Sequence, residues 1–265
     1  MPLECAFLLS GPYDIASLTE ATKNKSALCR TRLRAHTTER IVQLVSEMLK
    51  DLGFTEAYVE FLLSDLTRKA VGELTFTNSN SQEISASQIS LVQLLMIRLY
   101  TSTEQSKTCG RDLAQMLKQG LRGRKTEDVM KLKDVIKTLD NALKSLPPYM
   151  SEKALFRGEE IKIECLQVGM QFDMVSFTSF SRVAYEALPF TQAQNGSLFV
   201  LQNPKSGVDI AFASDMPREM EILYPRNTRF EVLHVFSGAE ARDHVPELKS
   251  ETVGDQLTVI VIAEV

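Results

Sequence analysis

The sequence predicts an α+β fold in which helices come first and strands follow. Three observations carry this. Apolar residues recur at helix spacing through much of the first half, the pair Pro147-Pro148 then breaks the chain, and from Leu155 onward the apolar residues are largely β-branched or aromatic and tend to alternate.

The helical half divides at its breakers. Ile41, Leu44, Val45, Met48 and Leu49 form one apolar stripe, with Thr37 and Thr38 as candidate N-caps and Gly53 as the stop. Thr55 then caps a second helix through Phe61, Leu62 and Leu66, giving a helical hairpin. The polar stretch from Thr75 to Ser90, TFTNSNSQEISASQIS, has the composition of a loop, and a domain boundary is placed within it. Residues 1–85 are expected to form an N-terminal helical region suited to partner recognition, and 86–265 the domain that carries chemistry. The run from Leu91 to Tyr100 opens another helix. Val129, Leu132, Ile136, Leu139 and Leu143 predict one more, with Thr126 as cap, ending before the prolines.

In the second half, Ile161, Ile163 and Cys165 alternate, as do Phe230 and Val232, and the tail LTVIVIA is a strand-sized apolar run. Strands are expected at all three places.

Composition narrows the function classes. The chain has 265 residues, 44% of them hydrophobic, which suits one substantial core or two modest ones. A net charge of -4 from 30 basic and 34 acidic residues gives no reason to expect nucleic acid or anionic lipid as partner. No apolar run approaches a membrane span. The start, MPLECAFLLSGPYD, lacks the basic region and long apolar stretch of a cleavable signal peptide. Cys5, Cys29, Cys109 and Cys165, with His36, His234 and His244, show no ligand spacing, so neither a metal site nor a disulfide framework is expected.

Four features of the second half point to chemistry. In LFRGEE, Arg157 ends an apolar run and Gly158 permits close approach of a ligand or of backbone; a guanidinium there suits a phosphate or diphosphate. Alone, it reads more simply as a surface arginine. In SFTSFSRVAYEAL, a strand puts the Ser179 and Ser181 hydroxyls on one face, although Ser181 also suits an N-cap for the helix suggested by RVAYEAL. In LPFTQAQNG, Pro189 and Asn195-Gly196 mark a loop whose Phe190 either stacks on a flat ring or packs back onto the core.

The fourth feature is Glu219-Met220-Glu221. Strand alternation would put both carboxylates on one face, about 6.5 Å apart at strand rise. Such a pair suits a reaction that develops positive charge at a sugar carbon, because one anion stabilises the cation-like state while the other handles the attacking group. Alone, an E-x-E on a strand is ordinarily a solvated face.

In order and context these residues resemble the mono-ADP-ribosyltransferases of the Arg-Ser-Glu clade, which include bacterial toxins and effectors. The resemblance spans most of residues 91–265. IRLYTS looks like the family's helix-ending tyrosine-threonine, and ALKSLPPY before LFRG resembles its approach to the first strand. FTSFS stands where the family has F-x-S-T-S, and SGVDIAFASDMPREMEILYPRNTRFEV matches G-x-D-I, E-x-E and P-x-x-T-x-F-x-V in turn. Phe180 occupies the place where threonine is usual, which implies altered packing or an altered NAD contact.

The resemblance implies an ADP-ribosyltransferase fold, with two packed, mainly antiparallel sheets forming an NAD cleft. It implies NAD+ as co-substrate, no metal, and transfer of ADP-ribose to a side chain of a target protein, with arginine favoured and threonine or others open. Arg157, with Gly158, would bind and orient NAD, Ser179 would brace the site, Glu221 would be the main catalytic residue and Glu219 would serve the acceptor; Phe180 and Phe190 are further candidate NAD contacts. The expected protein is a monomeric effector acting on a host protein, delivered without a cleavable signal peptide, or a cytoplasmic enzyme. An NAD glycohydrolase, or a silent binding module of the same fold, are the alternatives.

Overall fold

The computed structural model describes residues 43–265 apart from 71–74, 78–80, 82, 86–88, 124–125, 192–194, 250 and 252. The candidate caps Thr37 and Thr38, and Ile41 of the first stripe, lie outside the described residues. The chain folds as two compact units, and among the described residues the division falls at Leu146/Pro147.

The first unit is mainly helical. Residues 43–51 are helical, with Val45, Met48 and Leu49 buried, and Gly53 follows at φ 82, the left-handed conformation that glycine tolerates. Helix α1 (Glu56–Ala70) is capped as expected: the Thr55 hydroxyl accepts from the Tyr58 amide at 3.0 Å. Its Leu62 is buried, but Phe61 is exposed. The stretch from Thr75 to Ser90 contains a short antiparallel hairpin, β1 (Thr75–Thr77) and β2 (Glu83–Ser85), where a loop was expected. The β-branched Thr75, Thr77 and Ile84 supply strand propensity that the polar composition hides.

Helix α2 (Leu91–Thr101) starts on a capping box between Ser90 and Gln93. Helix α3 (Leu113–Leu121) is capped by Asp112. The helix expected after Thr126 and before Pro147 is two helices, α4 (Thr126–Lys131) and α5 (Lys133–Ser145), broken at Leu132, whose ψ is near 0. Thr126 is the first helical residue, not the cap. As the prolines require, α5 ends at Ser145.

Among the described residues, the second unit is built on eight strands: β3 (Leu155–Glu159), β4 (Gln171–Met174), β5 (Thr178–Ser181), β6 (Ser197–Gln202), β7 (Val208–Asp209), β8 (Glu221–Tyr224), β9 (Thr228–Ser237) and β10 (Thr258–Glu264). Their hydrogen-bonded order is β4-β9-β10-β6-β3-β5-β8-β7, antiparallel except for β6 and β10. Ile161, Ile163 and Cys165 form no strand; they lie in the connection from β3 to β4, and Ile161 is exposed.

A single partner pair, Phe156 with Ser181, joins β3 to β5. There the sheet folds over. Phe230 of β9 and Phe180 of β5 lie four strands apart in the order, about 19 Å in a flat sheet at ~4.8 Å per strand, yet their ring centroids are 6.1 Å apart. The two halves therefore pack face to face, as the family resemblance implied. Their shared core holds Leu155, Phe199, Phe230 and Ile260 from one half and Phe180, Ile222 and Tyr224 from the other. On the far side of the first half, Leu198, Val200, Val259 and Val261 pack under Ala184, Ala187, Ala241 and Leu248. Burial on both faces explains why the last strand reads as a continuous apolar run. Among the described residues, no helix is long and apolar enough to cross a membrane.

Candidate active site

Strand alternation places the site. Along β5, Phe180 turns inward and is 1% exposed, its ring 5.3 Å from Tyr224 in an edge-on contact. Its neighbours Ser179 and Ser181 turn to the other face, opposite Leu223 and Glu221 of β8. Of the two readings of Phe180, packing is the one its position fits, its ring being buried in the core. The bulk that replaces threonine fills the space between the two half-sheets.

The glutamate pair does not arise as the strand reading proposed. Glu219 ends a 3₁₀ turn (Pro217–Glu219), Met220 is left-handed at φ 48, and only Glu221 is in the strand. A left-handed methionine is uncommon and is held here by the surrounding hydrogen bonds. The Met220 amide donates to the Pro217 carbonyl at 3.1 Å, and its carbonyl accepts from the Arg182 amide at 3.3 Å. The Ser181 hydroxyl donates to the Glu219 carbonyl at 2.8 Å while accepting from the Val183 amide at 3.1 Å. Ser181 is not the N-cap of the short helix α6 (Ala184–Ala187) that the sequence suggested; Val183 holds that place with no side-chain cap bond, and the Ser181 hydroxyl instead ties the Val183 amide to the glutamate turn.

Glu221 is 6% exposed, so it is not on a solvated face. Burial pushes its carboxyl up to about 7, and the charge of Glu219 adds to the rise; a hydrogen bond from Ser179 and the Arg157 guanidinium oppose it. Glu219 is half-buried and also raised, first by burial and then by the charge of Glu186, against Arg218.

Arg157 on β3 completes the group. Its Nη1 donates to the Ser179 carbonyl at 2.9 Å, and Nε and Nη2 both donate to Oε1 of Glu159, at 2.9 and 2.6 Å. Ser179 therefore links the two charged groups, its carbonyl to Arg157 and its hydroxyl to Glu221. Gly158 allows close approach of backbone: a Cβ there would overlap the Ala187 carbonyl oxygen and crowd Phe190. Phe190 lies on a 3₁₀ turn (Leu188–Thr191) and is 55% exposed, so it does not pack back into the core.

Arg157, Ser179, Glu221 and Glu219 are thus brought together, with Phe190 beside Gly158. Two nearby carboxylates escaped the sequence reading. Glu159 was visible in principle, since residues two apart on a strand share a face. Glu186 meets Glu219 only through the fold, and no local pattern announces it. Two further motif positions are scaffold. The bare Gly207 lies against the Tyr224 ring, and the Thr228 hydroxyl donates to the Pro225 carbonyl at 2.7 Å across a turn whose Asn227 is left-handed.

This topology holds an arginine, a serine and a buried glutamate together across β3, β5 and β8. The sequence profile of the NAD:arginine ADP-ribosyltransferase family matches residues 42–252, more than half of the chain. The chain belongs to that family. Its co-substrate is accordingly NAD+.

Among solved structures, the ADP-ribosyltransferase HopU1 of Pseudomonas syringae pv. tomato is 17% identical with a TM-score of 0.53, over 76% of this chain and 96% of that one. Exoenzyme S of Pseudomonas aeruginosa, solved with human 14-3-3 protein beta and carba-NAD, is 18% identical at 0.49, over 68% and 76%. The Vibrio splendidus ADP-ribosyltransferase Vis, solved with agmatine, is 19% identical at 0.49, over 83% and 90%. No curated protein sequence matches the chain. Among the described residues, no group of three or more His, Cys, Asp or Glu side chains is placed to hold a metal.

Proposed function

We propose that the protein is a mono-ADP-ribosyltransferase of the Arg-Ser-Glu type that modifies a side chain, with arginine favoured, on a protein of a host cell. The observation that carries this reading is the buried Glu221, hydrogen-bonded by Ser179, whose carbonyl in turn receives the Arg157 guanidinium. Arg157 suits an anionic diphosphate, and its position beside Gly158 and the exposed Phe190 suits a flat ring nearby. Glu221, when ionised, faces the sugar carbon that becomes cation-like as the C–N bond to nicotinamide breaks. The bonding pair leaves with nicotinamide, which departs neutral. An acceptor nitrogen then attacks that carbon and gives up a proton, and Glu219 takes it. A carboxyl raised by burial and by Glu186 is a stronger base than an ordinary glutamate, which supports this role. Residues 1–85 are assigned, in the same reading, to recognition of a partner protein.

The test is incubation of the purified protein with labelled NAD and a eukaryotic lysate, beside Glu221→Ala and Glu219→Ala. A labelled band that Glu221→Ala abolishes is the expected result. Glu219→Ala should lose the band while retaining most of the nicotinamide release. Nicotinamide release without any band from the wild type would replace transferase by glycohydrolase. Neither product would leave a silent binding module.

A further inference from the structure

Glu159 stands at the end of β3, two residues beyond Arg157, and the pair is largely withdrawn from solvent, with side chains 18% and 16% exposed. A guanidinium has five N–H donors in a rigid plane. Glu159 takes two of them on one oxygen, along the edge formed by Nε and Nη2, and the Ser179 carbonyl takes a third from Nη1. One N–H on each Nη remains without a protein partner among the described residues. Because the plane is held at two points on different edges, it cannot turn about the Arg157 side-chain axis without breaking a bond at the Glu159 or the Ser179 contact.

We infer that Glu159 is a positioning residue for co-substrate binding: it holds Arg157 so that the two remaining Nη N–H groups face the NAD diphosphate, and so that Ser179 stays between Arg157 and Glu221. The inference rests on the reading of Arg157 as the diphosphate-binding group. A flexible arginine would have to give up rotamer freedom on binding NAD, a cost of the order that an ordered partner removes in advance. Glu159 does not touch the reacting atoms, so it acts on affinity and leaves the bond-breaking step to Glu221.

The experiment is steady-state nicotinamide release by Glu159→Ala and Glu159→Gln, beside wild type, with a thermal melt of each protein in the absence of NAD. Glu159→Ala is expected to raise KM for NAD about tenfold, equivalent to about 1.4 kcal/mol, while kcat changes by less than about threefold. Glutamine keeps an acceptor oxygen for Nε and Nη2, so Glu159→Gln should recover most of the loss. An unchanged or lowered KM in Glu159→Ala would overturn the inference, the latter because it would make Glu159 a competitor of NAD for the guanidinium. So would a melting point that falls with KM unmoved. If the wild type itself released no nicotinamide, the function proposed above would fail instead, and a direct titration of Arg157-dependent NAD binding to the same variants would still decide the role of Glu159.

Discussion

The two halves of the folded sheet use the same apolar vocabulary to different ends. In the β6-β10 half, Leu198, Val200, Val259, Ile260, Val261 and Ile262 are buried on both faces, and the strands have no side left for chemistry. In the β5-β8 half, one face is equally apolar, with Phe180, Ile222 and Tyr224, but the other carries Ser179, Ser181 and Glu221. The carboxylate proposed to be catalytic is thus mounted on strands whose opposite face is locked into the core. Polar groups held on rigid strands keep their geometry without a ligand to order them, which is what a site that stabilises a developing charge needs.

The largest expected effect separates the two faces of β5. Phe180→Thr, which restores the residue usual in the family, should cost about 3 to 5 kcal/mol of stability, since it empties a ring's volume from the core and buries a hydroxyl there. KM for NAD should stay within twofold while the protein remains folded. Chemical denaturation and NAD kinetics on the same preparation check this, and a tighter KM at unchanged stability would put Phe180 in the binding site after all.

The next effect is linked to Glu221. The folded protein keeps its proton up to about 7, whereas the unfolded chain loses it near ~4.3. The folded state therefore binds more protons between those values. The stability that Glu221 contributes is fully present below the lower value, declines as pH rises toward about 7, and levels off above it. Activity should run the other way, kcat/KM rising through about pH 7 as the carboxylate forms. Denaturation midpoints and nicotinamide release measured over pH 4 to 9 should show these opposed slopes, and parallel slopes would remove Glu221 from the role.

The smallest effect concerns the turn. Ser181→Ala removes both the bond to the Glu219 carbonyl and the one to the Val183 amide. It should lower transfer to an acceptor about tenfold, a loss on the scale of one or two hydrogen bonds, and change nicotinamide release far less. Equal losses in both would mean that the turn positions Glu221 as well as Glu219.

Much of this was legible in the sequence because the residues are local. The helix stop at Gly53, the Thr55 cap and the end of α5 before Pro147 follow from backbone rules that need no tertiary context. The alternation of Ser179 and Ser181 around Phe180 likewise held. The E-x-E geometry was misread because two glutamates one residue apart look like a strand, and nothing local announces that Met220 is left-handed; the bond its carbonyl accepts from the Arg182 amide, supplied by the fold, helps hold it there. Ile161 and Ile163 misled for the opposite reason, since alternation without a partner strand forms no ladder. Phe180 could be assigned to packing only once Phe230, 50 residues away in sequence, was seen to lie beside it.

The central claim is that the polar face of β5 and β8 cleaves NAD through Glu221. Nicotinamide release from NAD by purified wild type and Glu221→Gln, with a thermal melt of each, tests it most directly. The account predicts a loss of at least about 10³ in kcat and, at pH 8, a melting temperature equal to or above that of the wild type, because glutamine removes a buried charge while keeping the shape. Substantial activity in Glu221→Gln, or a loss explained by unfolding, would contradict it.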